Sequence, residues 1–274
     1  MTWYEGIVLG LLQGATEFLP VSSSGHLVMG QTLLGLEVPG MGFEVALHVA
    51  TLVSVVVAYR VRIGVLLAGV GRRDREQMRY AGLLVLASVP AAIAGIGFGD
   101  FFASLFDSAA VTGVALLVTG CVVWSARGAL ARGPAGKPGI GTALLMGLAQ
   151  AAAIVPGISR SGATVVAALW RGVDAREAAA FAFLMSVPAV AGAALLKVPE
   201  LVSGRGGGGV AAEAAGASAA VSVAVLGVAA AVACVTGVAA IRAFRAMLAS
   251  RSLHRFAPYL WVVGAAFLWL VSGR

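Results

Sequence analysis

The chain has 274 residues, 60% of them hydrophobic and only 11% charged, with a formal net charge of +7 and a mean hydropathy of +0.97. A soluble globular chain carries about 25% charged residues, so an ordinary water-soluble domain is all but excluded. The 37 glycines are scattered among apolar runs without a triplet period, which excludes a collagen-like chain. At this hydrophobicity the positive excess points to arginine-rich cytoplasmic loops of a membrane protein rather than to nucleic acid. Cys121 and Cys234 lie inside apolar runs, away from any metal or redox spacing, and read as packing residues.

The first apolar region, residues 6–36, is broken by Pro20, three serines, Gly25 and His26. It carries Glu5 instead of a basic leader, so it is not expected to be a cleavable signal peptide. Residues 45–59 form a short span that must borrow a turn on either side. Residues 80–99 and 108–126 are long enough to cross about 30 Å of hydrocarbon at 1.5 Å per residue. A second broken region, residues 139–170, is interrupted by Pro156, Gly157, Ser159, Arg160, Ser161 and Gly162. Its arm after the break, 163–170, covers only about 12 Å. Residues 178–196, 214–241 and 256–273 complete the spans, with 206–209 as a flexible outer loop. The broken regions read as helical hairpins that enter the membrane and turn back, which is tolerated where protein or a water-filled cavity covers the irregular backbone. The expected fold is an all-α polytopic membrane protein with about six transmembrane helices and two re-entrant hairpins.

Charge tests this count. Arg60 to Arg79, Arg127 to Lys137, Arg171 with Arg176, and Arg242 to Arg255 contain 15 of the 19 basic residues. All fall on one side if both broken regions are re-entrant, as the positive-inside rule requires. Glu5, Glu37, Glu44, Asp100, Asp107, Glu200 and Glu213 then lie on the other.

The two broken regions also resemble each other at a constant shift of 137 residues. Gly10 maps to Gly147, Gln13 to Gln150, the Ser22–Gly25 stretch onto Ser159-Arg160-Ser161-Gly162, Gly35 to Gly172, and Glu37 to Asp174. Three spans lie between the hairpins, so they enter from opposite sides. The expectation is an inverted-topology repeat of residues 1–137 and 138–274, whose broken helices meet at a midplane site. Transporters commonly use such an arrangement, which keeps a lipid-phosphate flippase or secondary transporter as the rival function.

Glu17 and Arg160 are the formal charges placed within membrane-embedded segments. Charge there is expensive and marks a site with a partner; the plainer reading is an ion pair locking the hairpins together. Against the plainer reading stands the polar company of Gln13, Thr16, Ser22, Ser23, Ser24 and His26 in one break and Ser159, Ser161 and Thr164 in the other. Gln13 and Glu17, four residues apart, share a helix face, and a carboxylate there can hold Mg²⁺ or Ca²⁺ through oxygen. His26 can serve as general acid, general base or nucleophile. Amides after Ser161-Gly162 are expected to open a helix N-terminus that favours an anion, and Arg160 offers a fork to phosphate oxygens. His48 reads as a packing or pocket-wall residue and His254 as a bland loop histidine. No GxxxxGK[ST] or HExxH motif is present.

The segments Gln13-Gly-Ala-Thr-Glu17-Phe-Leu-Pro-Val-Ser-Ser-Ser-Gly-His26 and Pro156-Gly-Ile-Ser-Arg160-Ser-Gly-Ala-Thr164 closely resemble the two signatures of the undecaprenyl-diphosphate phosphatase (bacitracin-resistance) family. Residues 43–48, 171–173 and 183–188 extend the resemblance over essentially the whole chain. It implies an integral membrane hydrolase that converts undecaprenyl diphosphate to the monophosphate carrier lipid of cell-wall synthesis, with a divalent cation. It also implies a bacterial cytoplasmic membrane location, with the site toward the outer face. By position, Glu17 is the essential carboxylate, Ser23 and His26 are active-site residues, and Arg160 binds phosphate. Gln13, Ser22, Ser24, Ser159, Ser161, Gly162 and Thr164 are expected to contact substrate, and Glu17 to hold the metal. Many members have Glu where this chain has Gln13, so a two-carboxylate clamp is unavailable here. The expected partners are the lipid diphosphate and membrane lipids, with a homodimer as an open state of assembly and no nucleic acid.

Overall fold

A computed structural model describes residues 1–34, 41–106, 108–132, 136–203 and 222–272. For residues 31–34, 41, 42, 44, 193 and 196–203 only the backbone is described. The expected loop at 206–209, Gly35, Glu37, Asp107, Glu213 and the start of the span at 214–221 lie outside the described residues. Among those described there are eleven α-helices and a 3₁₀ turn at Leu253–Arg255. One isolated bridge, Gly136 to Val173, is the only strand-like pairing among them. The chain is a multi-pass membrane protein.

Helices α1 (Trp3–Phe18) and α2 (Ser23–Leu34) form the first broken unit. Thr2 starts α1 with a capping box closed by Glu5, which satisfies two otherwise unpaired amides. Before Pro20, α1 stops at Phe18, because the residue preceding proline is disfavoured in the helical region. The long helices are α3 (Met41–Gly71), α4 (Arg75–Gly97) and α6 (Ala109–Ala131), with a short α5 (Gly99–Phe106) between the last two. The second broken unit is α7 (Ile140–Ala152) and α8 (Arg160–Trp170). It is followed by α9 (Ala175–Ser203), α10 (Val223–Ala249) and α11 (Phe256–Ser272).

Five described helical stretches are long and apolar enough to cross a membrane: Val45–Gly71, Arg75–Gly97, Ala109–Ala131, Val223–Ala249 and Leu253–Ser272. The sixth expected span, 178–196, falls inside α9. Several helices run past the charges that bound the apolar spans. A helix backbone does not end where hydrocarbon ends, so α3 continues through Arg60 and Arg62, with non-helical angles only at Tyr59. The helix α5 was not expected. Its exposed Phe101 and Phe106 and its Asp100 suit a membrane–water boundary.

Small residues set which helices touch. Gly6, Gly10 and Gly14 of α1 lie against Val225, Ala229 and Ala233 of α10 in rising order, so the two helices run parallel. A Cβ on Gly14 would overlap Thr236 and the Ala233 carbonyl. Gly147 of α7 lies against Ala87 and Pro90 of α4, and Ile154, just past the end of α7, reaches toward Gly95, again a parallel pair. Gly113 meets Leu268 while Gly120 meets Trp261 and Ala257, so α6 and α11 are antiparallel. Such contacts replace the hydrophobic effect, which does not drive helices together in lipid.

These directions place the hairpins. The helix α4 leaves the face bearing Arg75 and α6 returns to it, so α7 enters from that basic face. Since α11 is antiparallel to α6, it starts at the basic face, and α10 ends there at Ala249 after starting on the other side. Parallel to α10, α1 therefore enters from the opposite side to α7. Between them Phe183 of α9 packs edge-on against Phe18, with ring centroids 5.5 Å apart, and against Phe244 at 5.4 Å. This aromatic core fixes α1, α9 and α10 around the break.

Candidate active site

The first break is a tight turn. Ser22 sits at φ 67°, a conformation unusual for a non-glycine residue and worth about 1–3 kcal/mol of strain. The turn aims the Ser22 carbonyl back at His26, whose backbone amide donates to it at 3.2 Å and whose Nδ1 lies 2.9 Å away. The Ser22 and Ser24 hydroxyls are 3.2 Å apart, and Ser22 Oγ accepts weakly from the Gly25 amide at 3.5 Å.

The second break is held from outside the hairpin. Gly157, at φ 95°, presses on α6, where any Cβ would overlap the Thr112 carbonyl. Thr119 Oγ1 donates to the Gly157 carbonyl at 2.8 Å and accepts the Ser159 amide at 3.2 Å. Ser159 caps α8, its hydroxyl accepting from the Gly162 amide at 3.2 Å. The helix therefore opens at Arg160, three residues before the expected arm at 163–170. The Gly162 amide is taken by this cap and the Ala163 amide by the Ser159 carbonyl at 2.8 Å.

The two breaks meet at Glu17. Its carboxylate, on a side chain 6% exposed, accepts from Gln13 Nε2 at 3.0 Å and from Ser23 Oγ at 2.5 Å. Arg160 Nη2 pairs with the other carboxylate oxygen. His48 Nε2 stands 3.9 Å from Glu17 Oε2, which turns the expected wall residue into a direct neighbour of the carboxylate. Ser161 Oγ donates to the Leu19 carbonyl at 2.9 Å, a second tie between hairpins. Thus the structural ion pair weighed from sequence exists. It does not use up the donors and acceptors around it: Arg160 Nη1 and Gln13 Oε1 are buried without a hydrogen-bond partner.

The remaining expected residues divide. Ser159 and Ser161 share a hydroxyl contact of 3.1 Å, and Thr164 donates to the Arg160 carbonyl at 2.7 Å. These hydroxyls build the second break, where contact with substrate was expected of them. His26 is 7% exposed, and its Nε2 lies 2.6 Å from the Tyr259 hydroxyl. Tyr259 and Thr119 were missed, because neither falls in a motif and each is unremarkable in a membrane helix. Gln150, the counterpart of Gln13 under the 137-residue shift, is buried with both amide atoms unpartnered.

Residues 6–266 match the family model described as bacitracin resistance protein BacA. The chain belongs to this family. A relative from Syntrophotalea carbinolica is 39% identical over 277 residues, covering 99% of this chain and 100% of its own. One from Desulfosudis oleivorans is 39% identical over 282 residues, with 97% of each chain covered. One from Desulforapulum autotrophicum is 36% identical, with 96% of each covered. All three are named undecaprenyl-diphosphatase. The residues that mark the family resemblance are thus the ones the structure gathers, Gln13, Glu17 and Ser23 from one hairpin and Arg160 from the other.

Proposed function

We propose that this protein hydrolyses undecaprenyl diphosphate to undecaprenyl phosphate and inorganic phosphate. That reaction recycles the carrier lipid of cell-wall synthesis and confers bacitracin resistance. Family membership and the relatives' names support the activity. The observation that carries the site is the Glu17–Arg160 pair joining the hairpins, with a guanidinium donor still unengaged. Guanidinium is always charged and fits phosphate oxygens as a fork. Arriving diphosphate takes up Arg160 Nη1 first and then competes with Glu17 for the rest of the fork. An isolated carboxylate at this depth is costly, so in the substrate-free protein Arg160 neutralises it.

As Arg160 turns to phosphate, the Glu17 oxygen it leaves would be open to a cation, while the oxygen facing Ser23 stays in place to take the proton already directed at it. Ser23 Oγ then attacks the terminal phosphorus, its proton passes to Glu17, and the bridging P–O bond breaks to release undecaprenyl phosphate. Water attacks the phosphoserine in turn, its proton balance closing when Glu17 returns one proton to Ser23. With both ring nitrogens occupied, His26 is the weaker nucleophile candidate and serves instead as general base, its Nε2 taking a proton from the attacking water and releasing it to the phosphate formed. Preorganised charge at the transferring phosphoryl group is the usual core of such catalysis.

A divalent cation, Mg²⁺ or Ca²⁺, fits the chemistry of the donors. Gln13 Oε1 is an orphaned buried oxygen beside the Glu17 carboxylate, and hard cations take oxygen ligands, often completed by phosphate and water. Among the described residues no group of three His, Cys, Asp or Glu side chains could hold a metal, so Gln13 and Glu17 would share the ion with the substrate. When bound it would neutralise charge on the phosphate oxygens.

The opposite entry of α1 and α7, and the matched contacts of Gly10 and Gly147, support an inverted duplication of residues 1–137 and 138–274. Positive-inside orientation supports a site reached from the outer face of the bacterial cytoplasmic membrane, with the prenyl tail among membrane lipids. Purified protein in detergent, given undecaprenyl diphosphate, should release phosphate with Mg²⁺ or Ca²⁺ and lose that release with a chelator. Transport of the lipid across a vesicle membrane with no phosphate release would overturn the reading in favour of a flippase.

A further inference from the structure

His26 is held at both nitrogens by partners of different kinds. On one side the Ser22 carbonyl lies 2.9 Å from Nδ1. A carbonyl can only accept, so Nδ1 carries a proton, and in neutral imidazole the lone pair then lies on Nε2. On that side the Tyr259 hydroxyl lies 2.6 Å away and must donate. The two rings stack with centroids 5.7 Å apart and planes 18° from parallel. Tyr259 belongs to α11, more than 230 positions from His26, and 46% of its surface is exposed.

A phenol can both donate and accept. When His26 is neutral Tyr259 donates to Nε2; when His26 gains a proton there, rotation of the phenolic O–H lets Tyr259 accept from it. Neither Ser22 nor an aliphatic neighbour could follow that change. A buried imidazolium without an acceptor would bear the full cost of an unsatisfied donor.

We propose that Tyr259 is a positioning residue for the reaction, its hydroxyl keeping His26 oriented through the uptake and release of a proton at Nε2. This rests on the phosphatase reading above. The role belongs to the hydroxyl and not the ring, so Tyr259→Phe, which keeps the stacking, isolates it.

The test uses the full chain in detergent with undecaprenyl diphosphate and, in parallel, ¹⁵N NMR of histidine-labelled protein. Tyr259→Phe should lower kcat about tenfold, short of the roughly hundredfold loss of a proton-transferring group itself because the hydroxyl only orients one, while KM stays within about twofold. In the spectrum the His26 Nε2 resonance should move and Nδ1 should stay. In a His26→Gln background, Tyr259→Phe should cost nothing further. Unchanged kcat, or an equal loss in both backgrounds, overturns the inference while leaving the phosphatase reading intact. Wild-type protein that releases no phosphate overturns that reading, and the role in turnover with it.

Discussion

At the scale of single residues, the account depends on a few buried hydrogen bonds. Thr119 is the clearest case, because one hydroxyl serves both a carbonyl and an amide of the second break. Thr119→Val keeps the shape and removes both bonds, leaving two buried backbone groups unsatisfied at about 1–3 kcal/mol each. The expected result is a lower melting temperature and weaker phosphate release, both restored by Thr119→Ser; a Thr119→Val protein as stable as wild type would refute the role. Glu17 and Arg160 were legible in the sequence because charge inside an apolar run has few bland explanations. Thr119 and Tyr259 were not, since a threonine costs little in a span and a tyrosine near a helix end is ordinary at a membrane boundary. Their roles come from partners far away in the chain, which spacing alone does not reveal.

At the scale of elements, glycine contacts decide how the hairpins are held. Gly14 has no room for a side chain beside Thr236 and Ala233, whereas Gly82 of α4 has nothing within 4 Å of where a Cβ would stand. Gly14→Leu should therefore push α1 away from α10, displace Glu17 and lower both thermal stability and activity. Gly82→Ala should be neutral or stabilising by up to about 1 kcal/mol, as for an exposed helical glycine. Thermal unfolding of the two variants in detergent checks the contrast, and equal effects would contradict the packing described. The existence and order of the helices were readable from hydropathy and breaks. Their ends were not, because Arg60, Arg62 and Arg242 lie inside continuing helices. The start of α8 was misplaced because the capping of Gly162 by Ser159 is a local bond that hydropathy does not report.

At the scale of the whole molecule, two broken helical units of opposite direction bring a carboxylate and a guanidinium together, and the orientation proposed for them rests on the positive-inside rule. With Cys121 and Cys234 replaced, a cysteine at Asp100 should react with an impermeant maleimide from outside intact cells. One at Arg73 should react only after permeabilisation; the reverse pattern would invert the orientation. The shared site itself is the central claim. Its most direct measurement is a double-mutant cycle on kcat/KM for phosphate release, with Glu17→Gln, Arg160→Gln and the pair. Groups acting as one unit are strongly non-additive, so the double variant should be about as slow as the slower single variant. Losses that simply multiply would show that Glu17 and Arg160 act independently, and would contradict a single site formed between the two hairpins.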